Sequence, residues 1–299
     1  MPENSPKVSL TDPRTRFARP PFPEQKQLPP GDEDELNPRA DHGETSYKGS
    51  GKLQGRAALI TGADSGIGRS VALCFAKEGA DVLFTYLPEE QKNADATVKL
   101  IESTGRRAVA HPGDVRQKSF CQELVKKTVD TFGRLDILVN NAAFQRTYGA
   151  LEDIPEDEFD AHFRTNVYAP FFLTQAALKE MKPGGVVLNT CSIESFTPAE
   201  QLPAYAATKA ALASLTSSLS KMCMKQGVRV NGVAPGPVWT PFIPSTMPAE
   251  KVKSFGSNTV FGRPAQPVEQ AAVYVFLASD EASYVSGEIY GATGGRMPI

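Results

Sequence analysis

From Lys52 onward, short β-branched or aliphatic runs alternate with longer helical patterns, which is typical of βαβ units around a parallel sheet. Strands are predicted over 57–60, 82–86, 107–110, 137–140, 186–189, 229–233 and 288–290. Helices are predicted over 67–78, 90–104, 117–132, 156–181, 203–226 and 267–278. Because crossovers between parallel strands are right-handed, helices must cover both faces of the sheet. The pattern therefore predicts an α/β fold with one doubly wound, seven-stranded parallel sheet.

The first 50 residues differ in composition from the rest of the chain. They hold nine of the 24 prolines and an acidic run over 32–35, with hardly any apolar periodicity. We expect residues 1–50 to be an extended or disordered tail and residues 51–299 to be the folded domain. Phe17, Phe22 and Tyr47 would suit an arm that lies across the body or a neighbouring subunit. A proline-rich stretch over 237–264 is predicted to be a variable loop.

Composition excludes several classes of protein. The formal charge is -2 and charged residues make up 22% of the chain, so a polybasic nucleic-acid binder is not indicated. No apolar stretch approaches the roughly 18 residues that span a bilayer, and no secretory signal is visible at the N-terminus, so we expect a cytoplasmic protein. The 4 cysteines lack a CxxC pair, and only 3 histidines accompany them, so neither a metal site nor a disulfide framework is predicted.

A glycine-rich turn follows the first strand, at the start of the first predicted helix. The sequence from Thr61 to Gly68 is TGADSGIG, with glycines at Gly62, Gly66 and Gly68. Glycine lets backbone approach a pyrophosphate closely, and the N-terminus of the following helix presents free N–H groups to the anion. Tight helix–strand packing also requires glycine, so the turn alone does not decide between the two roles. The GxxxGxG spacing differs from the commonest dinucleotide fingerprint and lacks the ending of a phosphate-binding NTPase loop.

The chain resembles the short-chain dehydrogenase/reductase family over residues 53 to about 295. The family's glycine turn, its NNAG motif and its YxxxK motif correspond to Thr61–Gly68, Asn140–Ala143 and Tyr205–Lys209. Ser192 lies 13 residues before Tyr205, and Pro235-Gly236 follows the sixth strand. The long tail, the HGE at 42–44 and ITGADSGIGR at 60–69 are similar to the general-stress and glucose/ribitol dehydrogenase branch. The resemblance implies a Rossmann-like fold and hydride transfer between NAD(P) and a carbonyl or alcohol substrate: an aldehyde, ketone, sugar or polyol.

Four residues are the predicted catalytic set. Tyr205 and Lys209 are four residues apart, so a helix places both side chains on the same face. A phenol that acts as general acid/base near neutral pH needs its pKa lowered by about three units, and Lys209 and the positive nicotinamide ring would both lower it. By resemblance, Ser192 holds the substrate oxygen and Asn166 supports a water-linked proton relay. Without the resemblance, Ser192 would be interpreted as a turn or cap residue, and Asn166 as a polar side chain that hydrogen-bonds the backbone.

The resemblance also implies the cofactor contacts. They are Gly62, Asp64, Ser65, Gly66, Ile67, Gly68, Tyr86, Leu87, Asp114, Val115, Asn141, Ala142, Ala143, Tyr205, Lys209, Pro235, Gly236, Val238 and Thr240. Ala143 replaces the last glycine of NNAG, which adds a methyl group near the cofactor. The end of the second strand, at Tyr86 and Leu87, has no acidic residue that would repel a 2′-phosphate, so NADP is favoured and NAD remains open.

The substrate residues are less defined by sequence. The predicted set is Ser192, Glu194, Gln145, Tyr205 and Trp239, with Arg146, Phe196, Phe242 and Ile243 as further candidates. Their mixture suits either a hydroxylated substrate or an apolar carbonyl compound. Family likeness implies a homotetramer or homodimer. The charge and the short apolar stretches predict no nucleic-acid or membrane partner. The alternative function is a cofactor-binding redox sensor or scaffold without relevant catalysis, and the presence of Ser192, Tyr205 and Lys209 argues against it.

Overall fold

A computed structural model describes residues 10–296 and contains seven strands in one sheet. The strands are β1 (Ala57–Thr61), β2 (Asp81–Tyr86), β3 (Ala108–Pro112), β4 (Ile137–Asn140), β5 (Val186–Thr190), β6 (Arg229–Pro235) and β7 (Ile289–Ala292). Their order across the sheet is β3-β2-β1-β4-β5-β6-β7, and every pair is parallel. The predicted doubly wound, Rossmann-like fold is confirmed. The order reverses between β1 and β4, which places the ligand crevice of such a sheet beyond the ends of these two strands.

Nine α-helices accompany the sheet in the described part of the chain. They are α1 (Gly66–Lys77), α2 (Gln91–Glu102), α3 (Lys118–Phe132), α4 (Glu156–Phe163), α5 (Ala169–Ala177), α6 (Pro203–Cys223), α7 (Phe242–Thr246), α8 (Ala249–Lys253) and α9 (Pro267–Ala278). The sequence predicted one helix over 156–181, but a π-helical segment, Arg164–Tyr168, separates α4 from α5. The stretch 237–264, predicted to be a loop, contains the short helices α7 and α8.

Two apolar layers cover the sheet because side chains alternate between its faces. On β1, Ala58 and Ile60 pack with α1 and α9, whereas Leu59 packs with α3 and α5. The same alternation holds on β2, where Leu83 faces the second layer. All five residues of β1 are buried, as expected for a central parallel strand covered on both faces.

The cysteines and histidines of the described residues are arranged neither as disulfides nor as metal ligands. Cys74, Cys121, Cys191 and Cys223 are buried as free thiols. Residues 10–296 contain no group of three His, Cys, Asp or Glu side chains arranged to hold a metal ion. Over the same residues, no helix combines the length and apolar character needed to cross a bilayer.

Candidate functional site

The glycine-rich turn brings β1 and α1 into close contact. Gly62 and Gly66 have φ values of +63° and +54°, a region that favours glycine. A Cβ on Gly68 would lie 2.0 Å from the Gly62 carbonyl oxygen and 2.6 Å from the Asn141 amide nitrogen. A side chain at this position would therefore push α1 away from the turn. Ser65 precedes α1 and its side chain makes no capping hydrogen bond. The Gly66 N–H, at the first residue of α1, instead donates to the Glu33 carboxylate at 2.9 Å.

A hydrogen-bonded network joins this turn to the end of β4. The Thr61 hydroxyl accepts hydrogen bonds from the backbone N–H groups of Asn141 and Ala142, at 2.9 and 3.0 Å. The Asn141 side-chain amide donates to the carbonyl oxygens of Thr61 and Gly62, at 3.0 and 2.8 Å. Ala143 follows, and no non-glycine residue in the described range has a positive φ, so its additional methyl group imposes no left-handed strain. The network fixes two turns at the point where the strand order reverses.

The polar group at the end of β3 is an ion pair. Asp114 accepts a hydrogen bond from the backbone N–H of Arg116 at 2.9 Å and lies 2.7 Å from its guanidinium. Burial raises the pKa of Asp114, but the hydrogen bonds from Arg116 outweigh this effect and the pKa lies below its ordinary value. Asp114 is therefore a charged acceptor at neutral pH. It can accept a hydrogen bond from an amino group such as that of adenine.

Tyr205 and Lys209 lie on α6, and Ser192 lies just beyond the end of β5. The Lys209 ammonium donates to the Thr190 carbonyl oxygen at 2.6 Å and lies 5.5 Å from the centre of the Tyr205 ring. The Ser192 hydroxyl accepts from the backbone N–H of Glu194 at 3.1 Å, which fixes its position while leaving its proton free to donate. Helix and strand end thus bring a phenol, an ammonium and a hydroxyl to one place.

Burial dominates the acid–base behaviour of this cluster. It lowers the pKa of Lys209 from 10.5 to about 8. It also raises the pKa of Tyr205 above that of an ordinary phenol, an effect only partly offset by the Ser192 hydroxyl. The groups of the chain itself therefore do not lower the pKa of this phenol, because the cost of removing the phenolate from water exceeds the stabilisation by its neighbours. Tyr205 is therefore a neutral proton donor here.

Asn166 lies in the π-helical segment between α4 and α5 and is fully buried. Its amide donates to the Phe144 carbonyl oxygen at 2.9 Å and to the Thr208 hydroxyl at 3.0 Å, and its oxygen accepts from the Phe144 N–H at 2.8 Å. These bonds tie the segment after β4 to the helix that carries Tyr205. The π-bulge follows a pattern seen at functional sites, where an extra residue redirects a side chain.

A cavity of about 850 Å³ connects the glycine turn with this cluster. The predicted residues that line it are Gly62, Ser65, Gly66, Ile67, Leu87, Asp114, Val115, Asn141, Ala142, Ala143, Gln145, Ser192, Glu194, Tyr205, Lys209, Pro235, Gly236, Val238 and Thr240. Such a volume accommodates a dinucleotide's reactive end together with a small substrate. The glycine cradle, the N-terminal end of α1 and the charged Asp114 fit a nicotinamide dinucleotide.

Several predicted residues lie outside the cavity lining. Asp64 is buried behind the turn, and Gly68 and Asn166 act through packing and hydrogen bonds. The hydroxyl of Tyr86 donates to Gln91 at 2.6 Å. Of the further substrate candidates, Phe242 and Ile243 line the cavity, whereas Arg146 and Phe196 do not.

Trp239 also lies away from the predicted substrate position. Its ring is fully buried, stacks on Phe22 at 4.1 Å between ring centres, and donates its indole N–H to the Pro38 carbonyl oxygen at 2.7 Å. Its position after Pro-Gly suggested a substrate contact, but the N-terminal segment covers it instead. Its role in the structure is to anchor that segment.

Sequence reasoning missed some of the cavity lining. Glu90, Arg116, Lys251, Asn258 and Arg296 all contribute to the wall, and Pro30 reaches it from the N-terminal segment. Glu90 and Arg116 follow the ends of β2 and β3, a position that does place ligand contacts in open α/β sheets. The others come from segments whose path no local pattern predicts.

Comparisons with known proteins agree with this geometry. A family model described as enoyl-(acyl carrier protein) reductase matches residues 62–296. General stress protein 39 of Bacillus subtilis (strain 168) is 46% identical, covering 90% of this chain and 93% of its own. Glucose and ribitol dehydrogenase of Daucus carota is 45% identical, covering 92% and 97%. A short chain dehydrogenase from Burkholderia cenocepacia J2315, solved in complex with NADP, superposes with a TM-score of 0.77 at 33% identity, covering 82% and 99%.

Proposed function

The chain belongs to the short-chain dehydrogenase/reductase family, in the branch of general stress and glucose/ribitol dehydrogenase proteins, and on that premise we propose which of its residues perform the reaction. It is an NAD(P)-dependent oxidoreductase that transfers hydride between the cofactor and a carbonyl or alcohol. NADP is the favoured cofactor, as in the related structure solved with it. The observation that carries the proposal is the single cavity shared by the glycine turn, Ser192, Tyr205 and Lys209.

Tyr205 is the proposed general acid in the direction of reduction. When bound, NADPH supplies the hydride for the carbonyl carbon. Tyr205 delivers the proton to the substrate oxygen, and its raised pKa keeps the phenol protonated at neutral pH until that oxygen gains negative charge. In the direction of oxidation the same phenolate oxygen accepts the proton.

Ser192 and Lys209 support this proton transfer. The Ser192 hydroxyl is held by the Glu194 N–H and donates to the substrate oxygen, so developing charge meets a prepositioned donor. Lys209 places a cation 5.5 Å from the Tyr205 ring centre, which stabilises the phenolate left after proton release. Asn166 positions the helix that carries Tyr205 through Thr208.

The cofactor is proposed to lie along the predicted contacts that line the cavity. Gly62, Ser65, Gly66 and Ile67 form the cradle at the N-terminal end of α1, which suits the pyrophosphate. Asp114 and Val115 would hold the adenine, with Leu87 near its ribose. Asn141, Ala142, Ala143, Pro235, Gly236, Val238 and Thr240 form the remaining wall. Gly68 and Asp64 shape the turn from behind.

A hydroxylated substrate, a sugar or polyol, fits the outer part of the cavity best. Its wall carries the polar side chains of Gln145, Glu194, Lys251, Asn258 and Arg296, in addition to apolar ones. Such side chains can exchange hydrogen bonds with several hydroxyl groups at once, which an alkyl chain does not offer.

A homotetramer or homodimer is proposed for the assembled protein. Tyr168 and Phe171 are 43% and 40% exposed beside α5, and Met222 and Met224 are 63% and 45% exposed at the end of α6. Large apolar side chains left exposed on the protein suit a contact with a second copy. Light scattering after size exclusion tests this, and a monomer would contradict it.

The four separate buried thiols suit a reducing compartment, and we propose the cytoplasm.

Cofactor consumption tests the proposed function. Purified protein is assayed with NADPH and NADH against aldoses, the alcohols derived from them, and alkyl aldehydes of matched size. We expect turnover with NADPH and higher kcat/KM for the hydroxylated substrates. Tyr284→Phe, at a fully exposed tyrosine, serves as the control for Tyr205→Phe. Tight NADPH binding without turnover of any substrate would instead indicate a sensor.

A further inference from the structure

Part of the N-terminal segment is built into the body of the protein. Residues 22–44, here called the arm, run past both the glycine turn and the α7 region. The Gln27 N–H donates to the Pro244 carbonyl oxygen at 3.0 Å, and the Ser245 hydroxyl donates to the Pro30 carbonyl oxygen at 3.3 Å. The Val268 N–H donates to the Asp41 carbonyl oxygen at 3.1 Å. The arm is therefore held at several points by backbone hydrogen bonds.

One side chain of the arm reaches the cofactor turn itself. The Glu33 carboxylate accepts a hydrogen bond from the Gly66 N–H at 2.9 Å, at the first residue of α1. Glu33 is only 5% exposed. The same carboxylate oxygen lies 3.3 Å from His42 Nε2, and His42 is 2% exposed. A buried carboxylate and a buried imidazole thus meet at the N-terminal end of the helix.

The charge of Glu33 matters because of where it lies. The end of α1 is the place that the glycine turn prepares for a pyrophosphate. A buried carboxylate there repels that anion unless a cation offsets its charge. His42 is the closest cationic partner, and the buried Arg69 guanidinium also acts on both groups.

We propose that Glu33 and His42 are a positioning pair for cofactor binding: Glu33 holds the Gly66 amide in place, and protonated His42 cancels the carboxylate charge so that the pyrophosphate can bind at the same helix end. This proposal rests on the proposed function, since it requires that NADPH binds at the turn. It gives the arm a function in the cofactor site.

The protonation of His42 sets the pH range of the effect. The groups that face His42 are Glu33, Glu44 and Arg69. Burial lowers the pKa of His42, but the attraction of Glu33 and Glu44 outweighs it and raises the pKa to about 9. His42 is therefore positive at neutral pH and loses its charge above about pH 9. NADPH affinity falls as this charge is lost.

The test compares NADPH dissociation constants, measured by titration calorimetry, for His42→Asn, Glu33→Gln, the double variant and wild type. Glu33→Gln keeps an oxygen for the Gly66 N–H and removes the charge. At pH 7.5 we expect His42→Asn to weaken NADPH binding about tenfold, the effect of one uncompensated charge near a polyanion. We expect the double variant to recover most of that loss. Glu35→Gln, at an exposed position of the same turn, is the control.

The pH profile is a second, independent readout. Wild type should lose NADPH affinity above about pH 9 relative to Glu33→Gln, whose charge-free side chain no longer depends on His42. Because Lys209 and Glu90 are present in both proteins, their titration cancels in the comparison, and the difference isolates the pair. Melting curves without cofactor establish that each variant is folded. If His42→Asn does not fold, this profile decides alone.

Three results overturn the proposal. The first is a folded His42→Asn variant that binds NADPH as wild type does. The second is a double variant as weak as His42→Asn, which would show a structural defect instead of a charge effect. The third is a set of parallel profiles for wild type and Glu33→Gln above pH 9. Wild type that fails to bind NADPH at all refutes the proposed function as well, which separates the two failures.

Discussion

Replacing Lys209 with methionine should stabilise the cofactor-free protein while abolishing its activity. Lys209 is 1% exposed and its ammonium has one hydrogen-bond acceptor, the Thr190 carbonyl oxygen. Its folded pKa of about 8 lies below the unfolded value of 10.5. The unfolded chain therefore binds more protons between these two values, and the stability of the cofactor-free protein rises with pH across this window.

The size of the effect follows from the shift. Below pH 8 the buried charge costs about 3 kcal/mol, since each pKa unit corresponds to about 1.4 kcal/mol. Methionine removes this cost and loses one hydrogen bond of about 1 kcal/mol. The net gain at pH 7 is about 2 kcal/mol, or about 3 °C in melting temperature for a chain of this size. Towards pH 10.5 wild type becomes uncharged at this position, so the gain disappears.

Calorimetric melting of the cofactor-free proteins at pH 7 and pH 10 measures the effect. Lys221→Met is the matched control, because Lys221 lies on the same helix and is exposed. We expect the control to stay within about 0.5 kcal/mol of wild type at both pH values. A Lys209→Met variant that is less stable than wild type at pH 7, or equally stabilised at both pH values, would refute the reasoning.

Three further predictions concern the site and the arm. Ser192→Ala should lower kcat/KM about 10²-fold by removing a donor to the substrate oxygen. Steady-state kinetics measure this, with Ser218→Ala at an exposed position as the control, and a Ser192→Ala variant as active as that control would contradict it. Trp239→Phe should cost about 1 kcal/mol in urea unfolding, because the bond to the Pro38 carbonyl oxygen is lost, and an unchanged midpoint would argue against this anchor. Burial and the neighbouring Asp64 raise the pKa of Glu90 to about 8, so NADPH affinity should fall between pH 7 and pH 8.5 in wild type but not in Glu90→Gln. Equal NADPH titrations of the two proteins over this range would show that the Glu90 charge does not act on the cofactor.

Most of the sheet could be predicted because its strands are short runs rich in β-branched and aliphatic residues between helical segments. The predicted β4 agrees with the structure at both ends, and β1 differs by one residue. The motif residues converge because they follow the ends of neighbouring parallel strands or lie one helical turn apart, as Tyr205 and Lys209 do. These relations are local or follow from topology.

Other features depend on contacts between distant segments. Proline content indicated an extended segment over the first 50 residues, but no pattern placed Glu33 against Gly66 or Phe22 against Trp239. The break in the helix at Arg164–Tyr168 arises where Asn166 turns inward to bond Phe144, which a regular apolar pattern does not reveal. The direction of the Tyr205 pKa shift depends on burial by the whole fold.

The most direct test of the central claim is the kcat/KM of Tyr205→Phe for NADPH-dependent carbonyl reduction, with the NADPH dissociation constant measured on the same preparation. Loss of the proton donor should lower kcat/KM by about 10²-fold or more. The dissociation constant should stay within about threefold of wild type, because removing one hydroxyl leaves the glycine turn intact. Turnover equal to wild type would contradict the account, since the substrate oxygen would then receive its proton from another group.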